Sequence, residues 1–236
     1  MGEEKTFESI GCAPSRLDAW EKVTGRAVYV VDMKLRGMLY GKVLRSPIPH
    51  GRIVKLETRK ARSLPGVAAL VTGEDVPFVF GATIRDQPFL ARDRVRFVGD
   101  PMAAVAAVDL DTAEEALSLV QFELEPLPAL FDPVQAMKPE AILIHEGLSR
   151  YAVAPGIFPV EGSNICNHFK LRRGDVEKGF AEADLIFEGE YEVPKVQQAH
   201  IEPHVVITYW DEDDRLVIRT STQVPFHVRR MLAPVL

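Results

Sequence analysis

Arg94-Val95-Arg96-Phe97-Val98-Gly99-Asp100-Pro101-Met102-Ala103-Ala104-Val105-Ala106-Ala107-Val108, with Asp111-Thr112-Ala113-Glu114 just beyond it, is the stretch that decides the fold class. Two apolar runs, Arg94 to Val98 and Met102 to Val108, flank a Gly-Asp-Pro turn and read as a pair of strands. The second run is almost entirely small apolar residues, which fits a strand buried on both faces. Asp111-Thr112-Ala113-Glu114 reads as a capping-box-like helix start. Ala113, Ala116, Leu117 and Val120 then keep helical spacing. Strands that alternate with short helices predict an α+β or α/β domain.

The same alternation extends outward. Met38 to Arg45 and Arg52 to Glu57 read as strands, separated by Ser46-Pro47-Ile48-Pro49-His50-Gly51, where two prolines forbid a ladder. Thr58 is expected to cap a short helix through Ser63, which Pro65-Gly66 ends, and Val67 to Val71 forms the next strand. Pro126 and Pro128 close the unit, so residues 16–133 are expected to be one domain. Residues 1–15 read as a flexible leader. Residues 134–160 are expected to form a linker, overlapping a proline- and glycine-rich crossing segment from Pro139 to Ser163.

Residues 161–236 read as a second domain. Asp175 to Ala183 is a capped helix, and Leu185 to Val193, Ala199 to Trp210 and Arg215 to Ser221 are expected strands, with a tight turn at Asp211-Glu212-Asp213-Asp214. Thr220 to Arg230 reads as a strand entering a helix, and the sequence stops shortly afterwards at Leu236. No complete catalytic set precedes that point, which leads us to expect one part of a larger catalytic body.

Composition narrows the classes. Of 236 residues, 47% are hydrophobic and 26% charged, and the net charge is −6. Opposite charges interleave, as in Arg92-Asp93-Arg94-Val95-Arg96, so no basic face for nucleic acid stands out. Cys12 and Cys166 lie far apart and match no Cys-x-x-Cys pattern, so reduced thiols in a cytoplasmic protein are the expectation. The N-terminus, Met1-Gly2-Glu3-Glu4-Lys5, is acidic and has no apolar secretory region. No apolar run reaches the length of a membrane span.

Three strings hold candidate chemistry. On a strand, His200, Glu202 and His204 would share one face and could ligate zinc, although Pro203 argues against undisturbed strand geometry and structural hydrogen bonding is the plainer reading. The His-x-Glu fragment alone does not make a zinc deaminase, because the Pro-Cys-x-x-Cys such sites need is missing. Cys166, between Asn164 and His168, could pair with histidine as a nucleophile, but a packed thiol at a strand edge is the simpler expectation. Gln197 and Gln198 offer amides able to orient an oxo group or a water; a solvated pair at a strand start is the alternative. No GxGxxG, GxxxxGK[ST] or GxSxG pattern occurs, so a nucleotide-binding fold and an α/β-hydrolase are unsupported.

Taken in order, several strings resemble the N-terminal part of the large, molybdenum-cofactor-binding subunit of the xanthine dehydrogenase and aldehyde oxidase family. They begin with Arg16-Leu17-Asp18-Ala19-Trp20-Glu21-Lys22-Val23-Thr24-Gly25-Arg26-Ala27-Val28-Tyr29, Asp32 and Gly37-Met38-Leu39-Tyr40. Leu44-Arg45-Ser46-Pro47, His50 with Arg52-Ile53, Leu64-Pro65-Gly66-Val67 and Thr72-Gly73-Glu74-Asp75-Val76-Pro77 follow. Val95-Arg96-Phe97-Val98-Gly99, Glu125-Pro126-Leu127-Pro128-Ala129, Gly174-Asp175-Val176 and Ala181-Glu182-Ala183-Asp184 come next. Ile201-Glu202-Pro203-His204 and Ser221-Thr222-Gln223 complete the series.

The resemblance implies an α+β protein: a hammerhead-type α/β domain over 16–133, then the first part of a mixed α/β molybdopterin-binding domain. It further implies a component of a molybdenum hydroxylase, which hydroxylates carbon centres or oxidises carbon monoxide with water as the oxygen source. Electrons would leave through 2Fe–2S clusters and FAD on partner subunits. The family's glutamine beside the molybdenum oxo group points to Gln198, with Gln197 as the register alternative. The family's Phe-Gly-Gly loop, pterin contacts and catalytic glutamate fall beyond Leu236. The expectation is therefore a split subunit or truncated frame, inactive until a partner chain supplies the remaining molybdopterin-binding residues. The competing reading is a non-catalytic hammerhead-type assembly module.

Overall fold

The computed structural model describes residues 10–11 and 13–236; Cys12 and most of the leader expected over residues 1–15 lie outside the described residues. In chain order the elements are α1 (Ala19–Val23), β1 (Tyr40–Arg45), β2 (Gly51–Glu57), α2 (Arg59–Arg62), β3 (Val67–Thr72), β4 (Val79–Phe80), β5 (Gln87–Pro88) and β6 (Arg94–Val95). Then come β7 (Pro101–Ala107), α3 (Leu110–Ser118), β8 (Gln121–Pro126), α4 (Pro133–Ala136), α5 (Val176–Glu182), β9 (Val206–Trp210), β10 (Leu216–Thr220) and α6 (Pro225–Leu232). They divide into two compact units, one of residues up to 35 with 195–223, the other of 36–194 with 224–236.

The larger unit is built on two three-stranded antiparallel sheets, ordered β1-β7-β3 and β6-β2-β8. The alanine-rich β7 is the central strand of the first, paired from Tyr40↔Ala107 to Arg45↔Pro101 on one side and from Val67↔Ala107 to Thr72↔Ala103 on the other. Alternation splits its side chains between two cores. Ala103, Val105 and Ala107 pack with Leu70, Ala61 and the α3 face of Ala113 and Ala116. Met102 points the other way, against Ala91, Val95, Ile53 and Leu124, and so joins the two sheets. One face of the strand, Ala103, Val105 and Ala107, is buried; on the other Met102 is buried while Ala104 and Ala106 are half-buried, so the double burial its composition predicts is met only in part. Small side chains let α3 lie close to it.

Several boundaries differ from expectation. The strand expected over Arg94–Val98 ends at Val95 and pairs with β2, not with β7. The Asp100 carboxylate accepts the Arg96 N–H at 2.9 Å and Gly99 has φ +91°, so the chain turns and leaves Phe97 and Val98 exposed. Asp100 is itself buried, and desolvation raises its pKa despite that hydrogen bond. The α3 cap is Asp109, accepting from Thr112 N at 2.7 Å, two residues ahead of Asp111. Thr58 precedes α2 but makes no side-chain cap; its hydroxyl accepts from Arg62 Nε instead.

β8 falls where no strand is expected, since its only inward residue is the half-buried Leu124. The segment from Pro139 to Ser163 is irregular, as its composition predicts, yet it is tied down. Asn164 accepts from Ile144 N at 2.9 Å and donates to Ala136 O at 3.1 Å and Ile142 O at 2.8 Å. α5 begins at the expected cap, with Asp175 accepting from Lys178 N at 3.0 Å. The strand expected over Leu185–Val193 is not formed; the segment is irregular and exposed. Among the described residues no strand pairs with it, and an unpaired segment cannot complete a ladder.

Candidate cofactor-binding segment

Residues 195–223, which hold the candidate cofactor residues, are organised around a hairpin. β9 and β10 pair antiparallel from Leu216↔Trp210 to Thr220↔Val206. The turn forms at the predicted place. The Asp211 carboxylate accepts from Asp213 N at 3.0 Å and Arg215 N at 2.9 Å, and Asp214 adopts φ +60°. The Arg215 backbone N–H, with smaller help from its guanidinium and from Asp213 N–H, holds the Asp211 carboxyl below the usual range.

At the open end of the hairpin, Ser221 clamps the incoming chain. Its hydroxyl accepts from Val205 N at 3.1 Å and donates to Pro203 O at 3.1 Å, while its own N–H donates to Val205 O at 3.2 Å. The Ile201-Glu202-Pro203-His204 and Ser221-Thr222-Gln223 strings, 18 positions apart at Pro203 and Ser221, are thus one local structure.

The strand expected from Ala199 begins only at Val206. Ala199 has φ +49°, a left-handed conformation that breaks the alternation a strand would impose. His200, Glu202 and His204 therefore do not share a strand face. The two imidazole rings pack together with centroids 4.3 Å apart, and among the described residues no three His, Cys, Asp or Glu side chains are grouped to hold a metal ion. Cys166 corrects a second expectation: it is an exposed free thiol in an irregular stretch, not a packed thiol at a strand edge. His168 N donates to Phe158 O at 2.9 Å and Asn167 Oδ1 accepts from Phe158 N at 2.9 Å, so the neighbours of Cys166 hold a local turn.

Gln197 and Gln198 lie just before Ala199, both exposed, on irregular chain instead of at the start of a strand. Among the described residues neither amide has a hydrogen-bonding partner, so each keeps two donors and an acceptor. This neutral donor set fits an oxo group or a pterin ring, which needs hydrogen bonds and no competing charged ligand.

The sequence places His50 in a motif but does not reveal its setting. It is buried between the β2 start and the end of β8, its Nδ1 2.6 Å from Pro128 O, and its Nε2 has no hydrogen-bonding partner. The short Nδ1 contact to a carbonyl, which can only accept, places a proton on Nδ1 and leaves Nε2 as the unpartnered ring nitrogen. Only the Pro47-Ile48-Pro49 turn just before it hints at a residue held this way.

Two domain matches, in this order, define the class. Residues 24–128 match the aldehyde oxidase and xanthine dehydrogenase a/b hammerhead domain, and residues 157–236 match the molybdopterin cofactor-binding domain. The chain belongs to the xanthine dehydrogenase and aldehyde oxidase family and matches part of its molybdenum-cofactor-binding large subunit.

Particular relatives sharpen this. It is 37% identical, over 94% of its length, to the xanthine dehydrogenase molybdenum-binding subunit of Escherichia coli O157:H7, of which it spans 29%. It is 33% identical, over 98% of its length, to the nicotinate dehydrogenase large molybdopterin subunit of Eubacterium barkeri, of which it spans 52%. The reconstituted CO dehydrogenase of Oligotropha carboxidovorans shares the fold with a TM-score of 0.79 and 30% identity, over 95% of this chain and 29% of that one. The chain thus spans between 29% and 52% of the length of these relatives. No helix among the described residues is long and apolar enough to cross a membrane.

Proposed function

We propose that this chain supplies the N-terminal portion of the large subunit of a cytoplasmic molybdenum hydroxylase, which oxidises or hydroxylates a small organic substrate with water as the oxygen source. One observation carries the reading: the hammerhead match at 24–128 is followed in the same chain by the cofactor-domain match at 157–236. The domain division we propose is 16–133 for the hammerhead, 134–160 for the linker and 161–236 for the cofactor-binding part. The partners are a chain or segment carrying the remaining molybdopterin-binding residues, an FAD-binding subunit and a 2Fe–2S subunit.

Gln198, or Gln197 in the alternative register, is the residue we assign to the cofactor. When bound, a molybdenum–molybdopterin group would supply the redox centre, and the amide would orient it by donating hydrogen bonds without adding charge. The unpartnered amides and their placement ahead of the Ser221 clamp support this role.

The test is co-expression with a chain carrying the rest of the cofactor domains, followed by metal analysis of the purified complex and dye reduction with purines or aldehydes. The expected result is a molybdenum-containing complex in which Gln198→Ala lowers turnover by about tenfold or more while the complex still assembles. Failure to associate, with no molybdenum recovered, overturns the proposal. A stable complex free of molybdenum would favour the assembly-module reading.

A further inference from the structure

A cavity of about 560 Å3 opens in the larger unit, lined by none of the candidate cofactor residues. One wall is a short backbone pairing between residues 83–85 and 152–154. Arg85 N–H donates to Ala152 O at 2.9 Å, Ala154 N–H donates to Thr83 O at 2.8 Å, and Ile84 bridges Val153. The other wall is one face of α6 and the turn after it: His227, Arg230, Met231 and Pro234 recur at the i, i+3, i+4, i+7 spacing of a single helix face.

Charge distinguishes this cavity. Arg85, His227 and Arg230 line it, and none of its lining residues is acidic; Asp86, next in sequence to Arg85, is not among them. Neither the Arg85 nor the Arg230 guanidinium joins an ion pair or side-chain hydrogen bond among the described residues. Arg62, Arg92, Arg94 and Arg215, by contrast, each hold a carboxylate within 3.2 Å. Two uncompensated guanidinium groups on facing walls repel each other, and an anion between them reverses the sign of that interaction. Apart from Thr83, the remaining side chains of the lining, including Phe80, Val153, Met231 and Val235, are apolar.

We propose that this cavity binds a small organic carboxylate with an apolar body. Arg85 and Arg230 take the carboxylate in the forked geometry that guanidinium groups favour, and Phe80, Val153 and Met231 cover the body. The volume lies within the range of small-molecule sites. His227 adds a further donor from the same helix face as Arg230.

Titration calorimetry of the full chain with benzoate tests the site, with benzyl alcohol and inorganic phosphate as comparisons. Benzoate should bind in the sub-millimolar range, benzyl alcohol should not, and phosphate should bind more weakly than benzoate. Arg85→Gln and Arg230→Gln, both at exposed positions, should each loosen benzoate by roughly tenfold or more with unchanged circular dichroism and melting temperature. Absence of benzoate binding at millimolar concentration overturns the proposal, as does binding that neither substitution weakens in folded protein. Phosphate binding as tight as benzoate would overturn the assignment to an apolar carboxylate.

Discussion

Met102→Ala should be the most damaging single truncation in the larger unit. Met102 is fully buried on β7 and packs against Ala91 and Val95, with Ile48, Ile53 and Leu124 completing the contact between the two sheets. Truncation removes the thioether sulfur and the carbons on either side of it. At about 0.8 kcal/mol for each methylene-sized group, the lost transfer free energy is about 2.5 kcal/mol. The two sheets are each tied by antiparallel ladders and cannot close fully over the gap. A residual cavity of roughly 60–80 Å3 at about 24 cal/mol per Å3 then adds about 1.5–2 kcal/mol. The expected cost is about 4 kcal/mol, whereas the volume-conserving Met102→Leu should cost less than about 1.5 kcal/mol. Trp20 and Trp210 both belong to the other unit, so intrinsic tryptophan fluorescence is the wrong probe. Native-state hydrogen exchange of the β7 and β2 amides reports the relevant free energy. A loss below about 1 kcal/mol for Met102→Ala would show that the two sheets do not depend on this contact, and would refute the shared-core reasoning.

Three further outcomes follow from the same structure. Gly81→Ala should cost about 3 kcal/mol or more in chemical denaturation, because Gly81 has φ +151° and an added Cβ would meet the Ile84 carbonyl oxygen. An unchanged midpoint would contradict that backbone geometry. Asn164→Ala removes hydrogen bonds to Ile144, Ala136 and Ile142 and should cost about 2–3 kcal/mol, read as faster proteolytic nicking between residues 136 and 145; equal nicking rates would show that the crossing segment is held by something else. Burial, and secondarily the Arg96 charge, lowers the His145 pKa in the folded state, outweighing the opposing effect of Asp86. The unfolded chain therefore binds the proton more readily, so stability should be full above about pH 6.5 and fall as pH drops through that value toward the depressed folded pKa. His145→Gln should flatten that limb of the melting temperature against pH, and an identical slope in the variant would refute the assignment.

The hammerhead part is legible because its signals are local and redundant. The small-residue run at Ala103–Ala107 marks a central strand covered on both faces, the prolines around Ile48 forbid a ladder, and Pro65-Gly66 stops a helix, each through local side-chain or backbone sterics. Errors arise where a particular side-chain hydrogen bond or strand pairing, which periodicity does not encode, decides the matter. The side chain of Asp100 takes the Arg96 N–H and ends β6 early, and nothing in the run from Arg94 to Val98 announces it. Gln121-Phe122-Glu123-Leu124-Glu125 does alternate, but its polar majority hides a strand whose place is set by pairing with β2. For Gln197 and Gln198, amide chemistry alone leaves an oxo-orienting pair and a solvated pair both open, and only the resemblance favours the first, since their amides make no contact whose pattern the sequence could encode.

The second domain shows why periodicity and pairing are separate requirements for a strand. Within Leu185–Val193 most positions alternate: Leu185, Phe187, Tyr191 and Val193 with Gly189 on one side, Glu188, Glu190 and Glu192 on the other, with Ile186 the exception among the glutamates. Alternation says which face each side chain would take once a strand exists. It says nothing about where the backbone amides find carbonyls, and among the described residues none are offered to this segment. Phe187 and Tyr191 are accordingly 88% and 92% exposed. The β9–β10 segment meets both conditions, because the Asp211 turn brings two alternating runs edge to edge and Ser221 closes the far end. Ala199 marks the boundary between the two outcomes. Its left-handed backbone takes Gln197 and Gln198 out of any ladder, which leaves their amides free for a ligand instead of for a neighbouring strand.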